Sequence, residues 1–506
     1  MWNKGFLKLY FASFIAFINS AINGYYSSGF TCRYDLSLIG PILVMKPFIR
    51  RFGEISIEKD PNFLAWIIGI LQIGSVCGTF FVGPIANYLG RVRAMALGSV
   101  IIIGGAFLEV LPKDITYFTI GRFLIGFGVV FVTTSAPTCM TESLTIDVVE
   151  IAHPVFRGRA GAAYNTGWSV GSIPAAILTY TLANDDTDLA WELPLLMQCI
   201  FSGIVLIGCI FIPESPRWLM ANGRTEEAKS FFVKYHADGD ETDPIIKTQM
   251  MEIQDAIDDN KTTSNHFGQL FLTGPLRYRV FLLLCVGFFT QYAGNAVSSY
   301  YLPQITPYFG VEKDDVSKTL LFNVITQIFG AVFGFIGAGL GDTRDRRAQW
   351  MLGGTSTGFA MLGLTVFCGI YEATQVALWG ITAFFFIQVF SVGYAFCYTP
   401  LQSLYCVEIL PYKSRATGMA FEQLAINGLS FLQNFIMTNG AKALGWKFFG
   451  FFCAVDVLAV GIYYKYFPET CGLTLEQIET TFEDPSAFDP VKSSIEFKVK
   501  NSIKDA

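Results

Sequence analysis

The sequence contains little charge. Lys, Arg, Asp and Glu make up only 15% of the 506 residues, whereas soluble domains contain roughly 25%. Hydrophobic residues make up 52%, and the stretch Phe63–Leu89 carries no charge at all. A soluble core could not enclose so much apolar surface, because core volume grows slowly with chain length. The composition therefore excludes a soluble globular protein and indicates a chain that lies in a lipid bilayer.

The sequence also lacks the groups that enzymes and metal proteins need. It has three histidines, and its eleven cysteines show no metal-ligand spacing. Cysteines in apolar runs, such as Cys77 and Cys285, are interpreted as small buried hydrophobes. There is no nucleotide-binding loop and no nucleophile-base pair, so we predict no enzymatic activity and no cofactor or metal. The formal net charge of −6 argues against a nucleic-acid partner.

Twelve apolar runs have about the length of 20 residues that a transmembrane helix needs. The first six lie near residues 9–29, 64–88, 94–111, 116–136, 160–182 and 192–212, and the other six near 280–302, 320–341, 349–370, 375–403, 416–437 and 444–466. The first run lacks the cleavage pattern of a signal peptide and is interpreted as a retained span. The pattern predicts an all-α integral membrane protein with twelve transmembrane helices. We place its domains at 1–212 (first bundle), 213–277 (helical linker), 278–467 (second bundle) and 468–506 (polar tail).

A repeated motif indicates that the two halves are related. Gly90-Arg91-Val92-Arg93 follows the second run, and Asp345-Arg346-Arg347 follows the eighth, which is the matching place in the second half. Two pseudo-symmetric six-helix bundles are the architecture of major facilitators, whose substrate site lies between the halves. Lys and Arg concentrate in the loops after runs two, four, eight and ten, so both termini and the linker are predicted to be cytoplasmic. The segment with Lys46, Arg50 and Arg51 is an exception.

Several separated motifs resemble one family, the sugar porters of the major facilitator superfamily. They are Pro213-Glu214-Ser215-Pro216-Arg217-Trp218-Leu219, Gly121-Arg122, Glu150 to Pro154 with Arg157-Gly158, Gly341-Asp342, Glu408, Arg415, and Pro468-Glu469-Thr470 with Gly472 to Leu475. The sequences Tyr164-Asn165-Thr166 and Tyr398-Thr399-Pro400 resemble those of the fungal lactose permease branch. The resemblance covers nearly the whole chain. It implies a monomeric plasma-membrane transporter of a hexose or a disaccharide that works by alternating access.

The resemblance also implies a network of charges at the cytoplasmic helix ends, which would hold one face closed until the halves rock. Its members are Arg91, Glu150, Arg157 and Glu214 in the first half and Arg346, Glu408, Arg415 and Glu469 in the second. The alternative is that they only set topology and cap helices, because surface ion pairs contribute little, roughly 0–1 kcal/mol each.

A sugar needs amides, phenols and little charge around its hydroxyls. The seventh run supplies Gln291, Asn295, Tyr300 and Tyr301, where the family has its sugar-binding helix. Gln291 and Asn295 lie four residues apart and so share a helix face. The resemblance adds Asn165, Asn323 and Asn434 to the candidate site; for all of these residues, hydrogen bonding between helices is the alternative. Ser403 stands where the family has a tryptophan, which could widen the site for a disaccharide.

Proton coupling is the second implied function. In proton-coupled members, the arginine that matches Arg122 pairs with an aspartate on the first span, and protonation of that acid would release the arginine. Here Asp35 is the candidate, although it follows an apparent insertion at Tyr26–Tyr34. A second apparent insertion lies between Pro137 and Glu150. Because of it, either Glu142 or Glu150 could correspond to one acidic position of the family. Asp456 and Glu422 are interpreted as packing or helix-end residues. Alternative functions are a proton-independent facilitator, a sugar sensor and a carrier of a quinate-like acid.

Overall fold

The computed structural model describes most of the predicted helical segments. The described residues are 37–111, 114–143, 168–211, 214–235, 246–247, 250–251, 253–254, 267–312, 315–340, 345–411, 414–470 and 482. These residues form helices, turns and short connections, and none of them lies in a β-strand. The all-helical class predicted from the sequence is therefore confirmed.

The helices are numbered here in chain order. They are α1 (Lys46–Phe52), α2 (Pro61–Leu89), α3 (Arg91–Val110), α4 (Ile115–Ser143), α5 (Trp168–Thr181), α6 (Leu189–Phe211), α7 (Pro216–Ala221), α8 (Thr225–Tyr235), α9 (Gly274–Tyr292), α10 (Asn295–Ser299), α11 (Leu302–Ile305), α12 (Val316–Leu340), α13 (Arg346–Thr374), α14 (Ala377–Gly393), α15 (Thr399–Ile409), α16 (Arg415–Leu444) and α17 (Phe449–Tyr466). Residues 37–43 are also helical. A π-helical segment, Tyr394–Tyr398, joins α14 to α15.

Eight helical stretches among the described residues are long and apolar enough to cross a bilayer. One of them, Thr417–Tyr466, has 50 residues, more than twice the length that a span needs. The 3₁₀ turn Gly445–Phe448 divides it into α16 and α17, as the sequence predicts. Eleven of the twelve predicted spans contain a helix within the described part of the chain, while the run 9–29 lies outside it.

The chain packs as two compact units. The first unit contains Ile70–Arg157 and Leu195–His266. Within it, α3 and α4 approach closely through glycines, since a Cβ atom at Gly121 would lie 2.6 Å from the Gly105 carbonyl oxygen. Small residues of this kind let helix backbones come together in membranes, where packing rather than the hydrophobic effect holds helices to one another.

The second unit contains Arg33–Gly69 and Gly158–Pro194 as well as residues from Phe267 onward. Segments from the first half of the sequence therefore pack here against helices of the second half. Near one end, Asn439 Nδ2 donates to Asn62 Oδ1 at 2.8 Å and Ser317 Oγ donates to Asn184 Oδ1 at 2.7 Å. We call this the Asn184 end and the opposite end, where α13 begins, the Arg346 end. The four domains placed from the sequence stay a prediction.

The core of the second unit is aromatic. Trp350 of α13 is fully buried and lies 5.3 Å, ring centre to ring centre, from both Tyr398 and Tyr463. Tyr405 and Phe467 stack at 5.3 Å beside it. This cluster fixes α13, α15 and α17 relative to one another and positions the polar groups described below.

Candidate substrate and proton sites

The seventh predicted span is broken at the point where its polar residues lie. Helix α9 ends at Tyr292, and Gly294 takes the left-handed conformation with φ of +104° before α10 begins at Asn295. The sequence analysis placed one span near 280–302 and did not predict this break. Non-helical backbone at membrane depth is tolerated where it is buried in protein or lines a cavity, and transporters place their substrate sites at such discontinuities.

The break brings predicted residues together with α16. Tyr301 is fully buried, and its hydroxyl donates to Asn434 Oδ1 at 3.1 Å. Asn434 Nδ2 in turn donates to the Ser430 carbonyl oxygen at 3.0 Å. Both halves of the Asn434 amide are therefore used, which fixes its orientation. The structure thus joins Tyr301 and Asn434, which the sequence placed in one site.

Gln433 is a member of this group that the sequence analysis missed. Its Nε2 atom donates to the backbone carbonyl oxygen of Gln291 at 2.6 Å. The Gln291 side chain is only 6% exposed, and its amide makes no hydrogen bond within the described part of the chain. Asn295 lies just beyond the break and accepts at Oδ1 from Ser299 Oγ at 2.9 Å. The Gln291 amide therefore keeps its hydrogen-bonding capacity for a ligand.

Asn323 belongs to a second polar group, on α12 and α14. It is 1% exposed, and its Oδ1 atom accepts from Gln327 at 3.5 Å. One turn away, Gln388 Nε2 donates to Thr326 Oγ1 at 2.8 Å. Asn323 Nδ2 and Gln388 Oε1 have no partner among the residues that the structure describes. Each buried unpaired group costs about 1–3 kcal/mol, so this pair favours a polar ligand. Gln388 and Thr326 were not predicted.

The first unit contains a buried charged group around α3 and α4. Arg122 has no exposed surface, and Glu109 is also buried. Gln198 of α6 donates from Nε2 to Glu109 Oε2 at 3.1 Å. The residue before Arg122, Gly121, faces this acid, since a Cβ atom there would lie 2.7 Å from Glu109 Cγ. Ionisable residues inside a membrane domain are costly and mark ion or proton pathways. Glu109 was missed because the sequence analysis considered only Asp35 as the acid near Arg122.

Two clusters of charged residues from the predicted network lie in the described part of the chain, one in each unit. Glu214 Oε1 accepts from the backbone N–H of Arg91 at 2.8 Å and of Val92 at 3.2 Å, at the start of α3. A Cβ atom at Gly90 would lie 2.3 Å from Glu214 Oε2, so glycine is required for this approach. A carboxylate at a helix N-terminus is stabilised by the helix dipole and the free N–H groups.

The second unit repeats the arrangement with the same spacing along the chain. Glu469 accepts from the backbone N–H groups of Arg346 at 2.8 Å and Arg347 at 3.1 Å, at the start of α13. Glu408 adds an ion pair to Arg346 at 3.1 Å and accepts from Thr470 Oγ1 at 2.6 Å. The matching separations support the duplication inferred from the motifs. Whether the two charge clusters join across the halves stays a prediction.

Some predicted residues lie outside what the structure describes. These are Asp35, Glu150, Arg157 and Asn165, together with the side chains of Ser403 and Arg415. Their roles stay predictions. Tyr300 is buried on the short connection between α10 and α11, next to Tyr301.

The break at Gly294 gives a first testable prediction. We expect Gly294→Ala to lower the melting temperature, because a non-glycine residue in such a backbone conformation costs roughly 1–3 kcal/mol. A Cβ atom there would also lie 2.4 Å from Met361 Cε, which a flexible methionine can partly relieve. The matched control is Gly287→Ala on α9, where the nearest atom is 3.5 Å away. Equal melting temperatures for both variants would show that the break is not constrained by Gly294.

The fold is the major facilitator fold. The chain is similar to the inward-open xylose transporter XylE from E. coli, with a TM-score of 0.73 and 19% identity, over 92% of this chain and 99% of that one. It is similar to the proton:xylose symporter XylE bound to 6-bromo-6-deoxy-D-glucose, with a TM-score of 0.71 and 20% identity, over 92% and 98% of the two chains. At this identity the likeness establishes the fold.

The sequence comparisons define the family. Residues 24–482 match the family described as "Sugar (and other) transporter". The sugar transporter STL1 of Saccharomyces cerevisiae is 26% identical, over 89% of this chain and 78% of that protein. A quinate permease of Neurospora africana is 26% identical over 89% and 85%, and sugar transport protein 4 of Arabidopsis thaliana is 23% identical over 89% and 88%. The chain belongs to the family of sugar (and other) transporters, which are carriers and not enzymes.

Proposed function

We propose that this protein carries a neutral sugar across the membrane by alternating access. The observation that carries the proposal is the helix break between Tyr292 and Asn295, where the buried Gln291 amide keeps hydrogen-bonding capacity beside the fixed Tyr301–Asn434 pair. Sugar hydroxyls both donate and accept, so an amide that offers both functions matches them. The unpaired amide atoms of Asn323 and Gln388 add a second place for hydroxyls.

A quinate-like acid is the second candidate, because quinate permeases are among the relatives. A carboxylate in a dry site needs a cationic partner. The described side chains around the break, Gln291, Tyr301, Gln433 and Asn434, are all neutral. This neutrality favours a sugar over an acid. Ser403 stands where the family has the larger tryptophan, so we propose a hexose or a lactose-like disaccharide as substrate.

We further propose that transport is coupled to protons, with Arg122 and Asp35 as the coupling groups. The complete burial of Arg122 beside the Glu109 group supports an electrostatic role for it in the first unit. A proton:xylose symporter shares the fold. We also propose a monomer in the plasma membrane with both termini in the cytoplasm, in line with the distribution of Lys and Arg among the loops.

The test is uptake by the purified full-length chain in liposomes. Labelled glucose, galactose and lactose are offered with and without an inward proton gradient, and unlabelled quinate serves as a competitor. We expect at least one sugar to accumulate only with the gradient, and quinate not to compete. Gradient-independent equilibration would indicate a facilitator. Binding without uptake would indicate a sensor, and inhibition by quinate alone would contradict a neutral substrate.

A further inference from the structure

Asp456 lies inside the second unit, in the middle of α17. Its side chain is buried, with 1% of the residue exposed. Neither carboxyl oxygen accepts a well-formed hydrogen bond in the part of the chain that the structure describes, and its polar neighbour, the Thr357 hydroxyl, donates to the Gly353 carbonyl oxygen instead. The sequence analysis interpreted it as a packing residue. An ionised carboxylate in such a place is costly, because one neighbouring hydroxyl does not replace the water that it has lost.

Two glycines of α13 make room for this side chain. A Cβ atom at Gly358 would lie 3.1 Å from Asp456 Cβ and 3.9 Å from Oδ2. One turn earlier, a Cβ atom at Gly354 would lie 3.2 Å from the Tyr398 hydroxyl. The glycines therefore open one slot between α13 and α17, and the Asp456 carboxyl and the Tyr398 hydroxyl both project into it.

Hydroxyl groups continue from this slot toward the Arg346 end. Tyr463 lies two turns along α17 from Asp456, and its ring is 6.3 Å from the ring of Tyr398. Both tyrosines are fully buried, and their hydroxyls are neighbours of each other, although neither makes a well-formed hydrogen bond among the described residues. Tyr405, on the far side of Trp350, donates to the Pro468 carbonyl oxygen at 3.3 Å. Tyrosine hydroxyls both donate and accept, so such a row can pass a proton.

Among the residues that the structure describes, none of those facing the slot carries a positive charge. The titratable groups that face Asp456 and its neighbouring tyrosines are Tyr394 and Tyr398 from the π-helical segment, Cys453 and Tyr463 from α17, and Cys285 from α9. On α13 the facing positions are Gly354, Thr357 and Gly358, and the Thr357 hydroxyl is directed to the Gly353 and Gly354 carbonyl oxygens. No described Lys, Arg or His forms an ion pair with Asp456. A neutral carboxyl is the form that this environment accommodates.

We propose that Asp456 is a proton-binding site in the second unit, separate from the Arg122 group, and that its proton exchanges through Tyr398 and Tyr463 toward the Arg346 end. The bound species is a single proton on one carboxyl oxygen. It leaves to water at that end when the helices move, and the carboxylate that remains is then hydrated. The coupling of this proton to solute movement rests on the proposed transport function, whereas the binding of the proton does not.

Infrared difference spectroscopy tests the site without any substrate. The full-length protein in lipid nanodiscs should show the carbonyl stretch of a protonated carboxylic acid, and D2O should shift this band. We expect Asp456→Asn, which is isosteric with the neutral acid, to lose the band. Glu422→Gln, which removes another buried acid, should retain it. A band unchanged in Asp456→Asn, or absent from the wild type, would overturn the proposal.

Two further variants keep the test decisive if Asp456→Asn does not fold. Asp456→Glu keeps a carboxyl in the slot and should move the band, whereas an unmoved band would assign it to another residue. Tyr398→Phe should also move the band, since the carboxyl loses a neighbouring hydroxyl; no movement would exclude the tyrosine row as the path.

Transport separates this proposal from the proposed function. In liposomes with equal sugar concentrations inside and outside, Asp456→Asn should still exchange sugar across the membrane. Its proton-driven accumulation of sugar should fall at least about tenfold, equivalent to about 1.4 kcal/mol. Undiminished accumulation would mean that the Asp456 proton is not coupled. Absence of sugar exchange in the wild type would overturn the proposed function, and the infrared band would still decide whether Asp456 binds a proton.

Discussion

Gln291→Ala should raise the sugar concentration for half-maximal uptake about five- to tenfold, since the loss of one hydrogen bond costs roughly 1–1.5 kcal/mol. The structure indicates that this loss of affinity would not come from a loss of folding stability. Gln433 donates to the backbone carbonyl oxygen of Gln291, not to its side chain. Truncation of the Gln291 side chain therefore leaves the hydrogen bond at the helix break in place, and the melting temperature should change little.

The matched control for this prediction is Gln423→Ala on α16, an exposed glutamine ten residues before Gln433. It should leave uptake unchanged. Gln433→Ala is the informative third variant, because it removes the donor at the break and should lower both affinity and melting temperature. Unaltered uptake by Gln291→Ala would mean that the break is not the substrate site, whatever happens to Gln433→Ala.

Hydropathy predicted the helices well, because the bilayer imposes a length on each span. The run 94–111 corresponds to α3, Arg91–Val110, and the run 349–370 to α13, Arg346–Thr374. The interruption at Gly294 could not be predicted in the same way. Polar residues flank it on both sides, at Gln291 and Asn295, but such residues also occur in unbroken spans, and the left-handed conformation of a single glycine depends on what packs around it.

The candidate site was only partly predictable. Asn434 and Tyr301 were found through the family resemblance, and the structure joins them. Gln433 and Gln388 were missed, since an amide in an apolar run can face lipid, a neighbouring helix or a ligand, and only the packing decides among these. Asp456 was treated as a packing residue for the same reason. Its significance comes from the absence of a well-formed hydrogen bond to its carboxyl among the described residues, which a sequence does not record.

Arg122→Gln is expected to abolish proton-driven accumulation. Removal of one member of a buried charged group typically costs 3–5 kcal/mol, because the remaining charge loses its compensation. Glu109 is a buried acid that the residue before Arg122 faces and that accepts a hydrogen bond from Gln198, so we take it as the charge that Arg122 compensates. We therefore expect Arg122→Gln to lower the melting temperature as well as transport. Exchange of sugar at equal concentrations on both sides of the membrane needs no net proton movement. The variant protein that folds should therefore still carry out this exchange.

The double variant Glu109→Gln/Arg122→Gln distinguishes folding from coupling. With both charges removed, no uncompensated charge stays buried, so the melting temperature should recover, as it does when a buried ion pair is replaced as a whole. Accumulation should not recover, because the positive charge that a coupling acid would bind is still missing. The control Arg93→Gln removes an exposed arginine of α3 and should affect neither quantity. If the double variant regains accumulation, then Arg122 serves only to neutralise Glu109, and the proton that drives transport must be bound elsewhere, with Asp456 as the next residue to test.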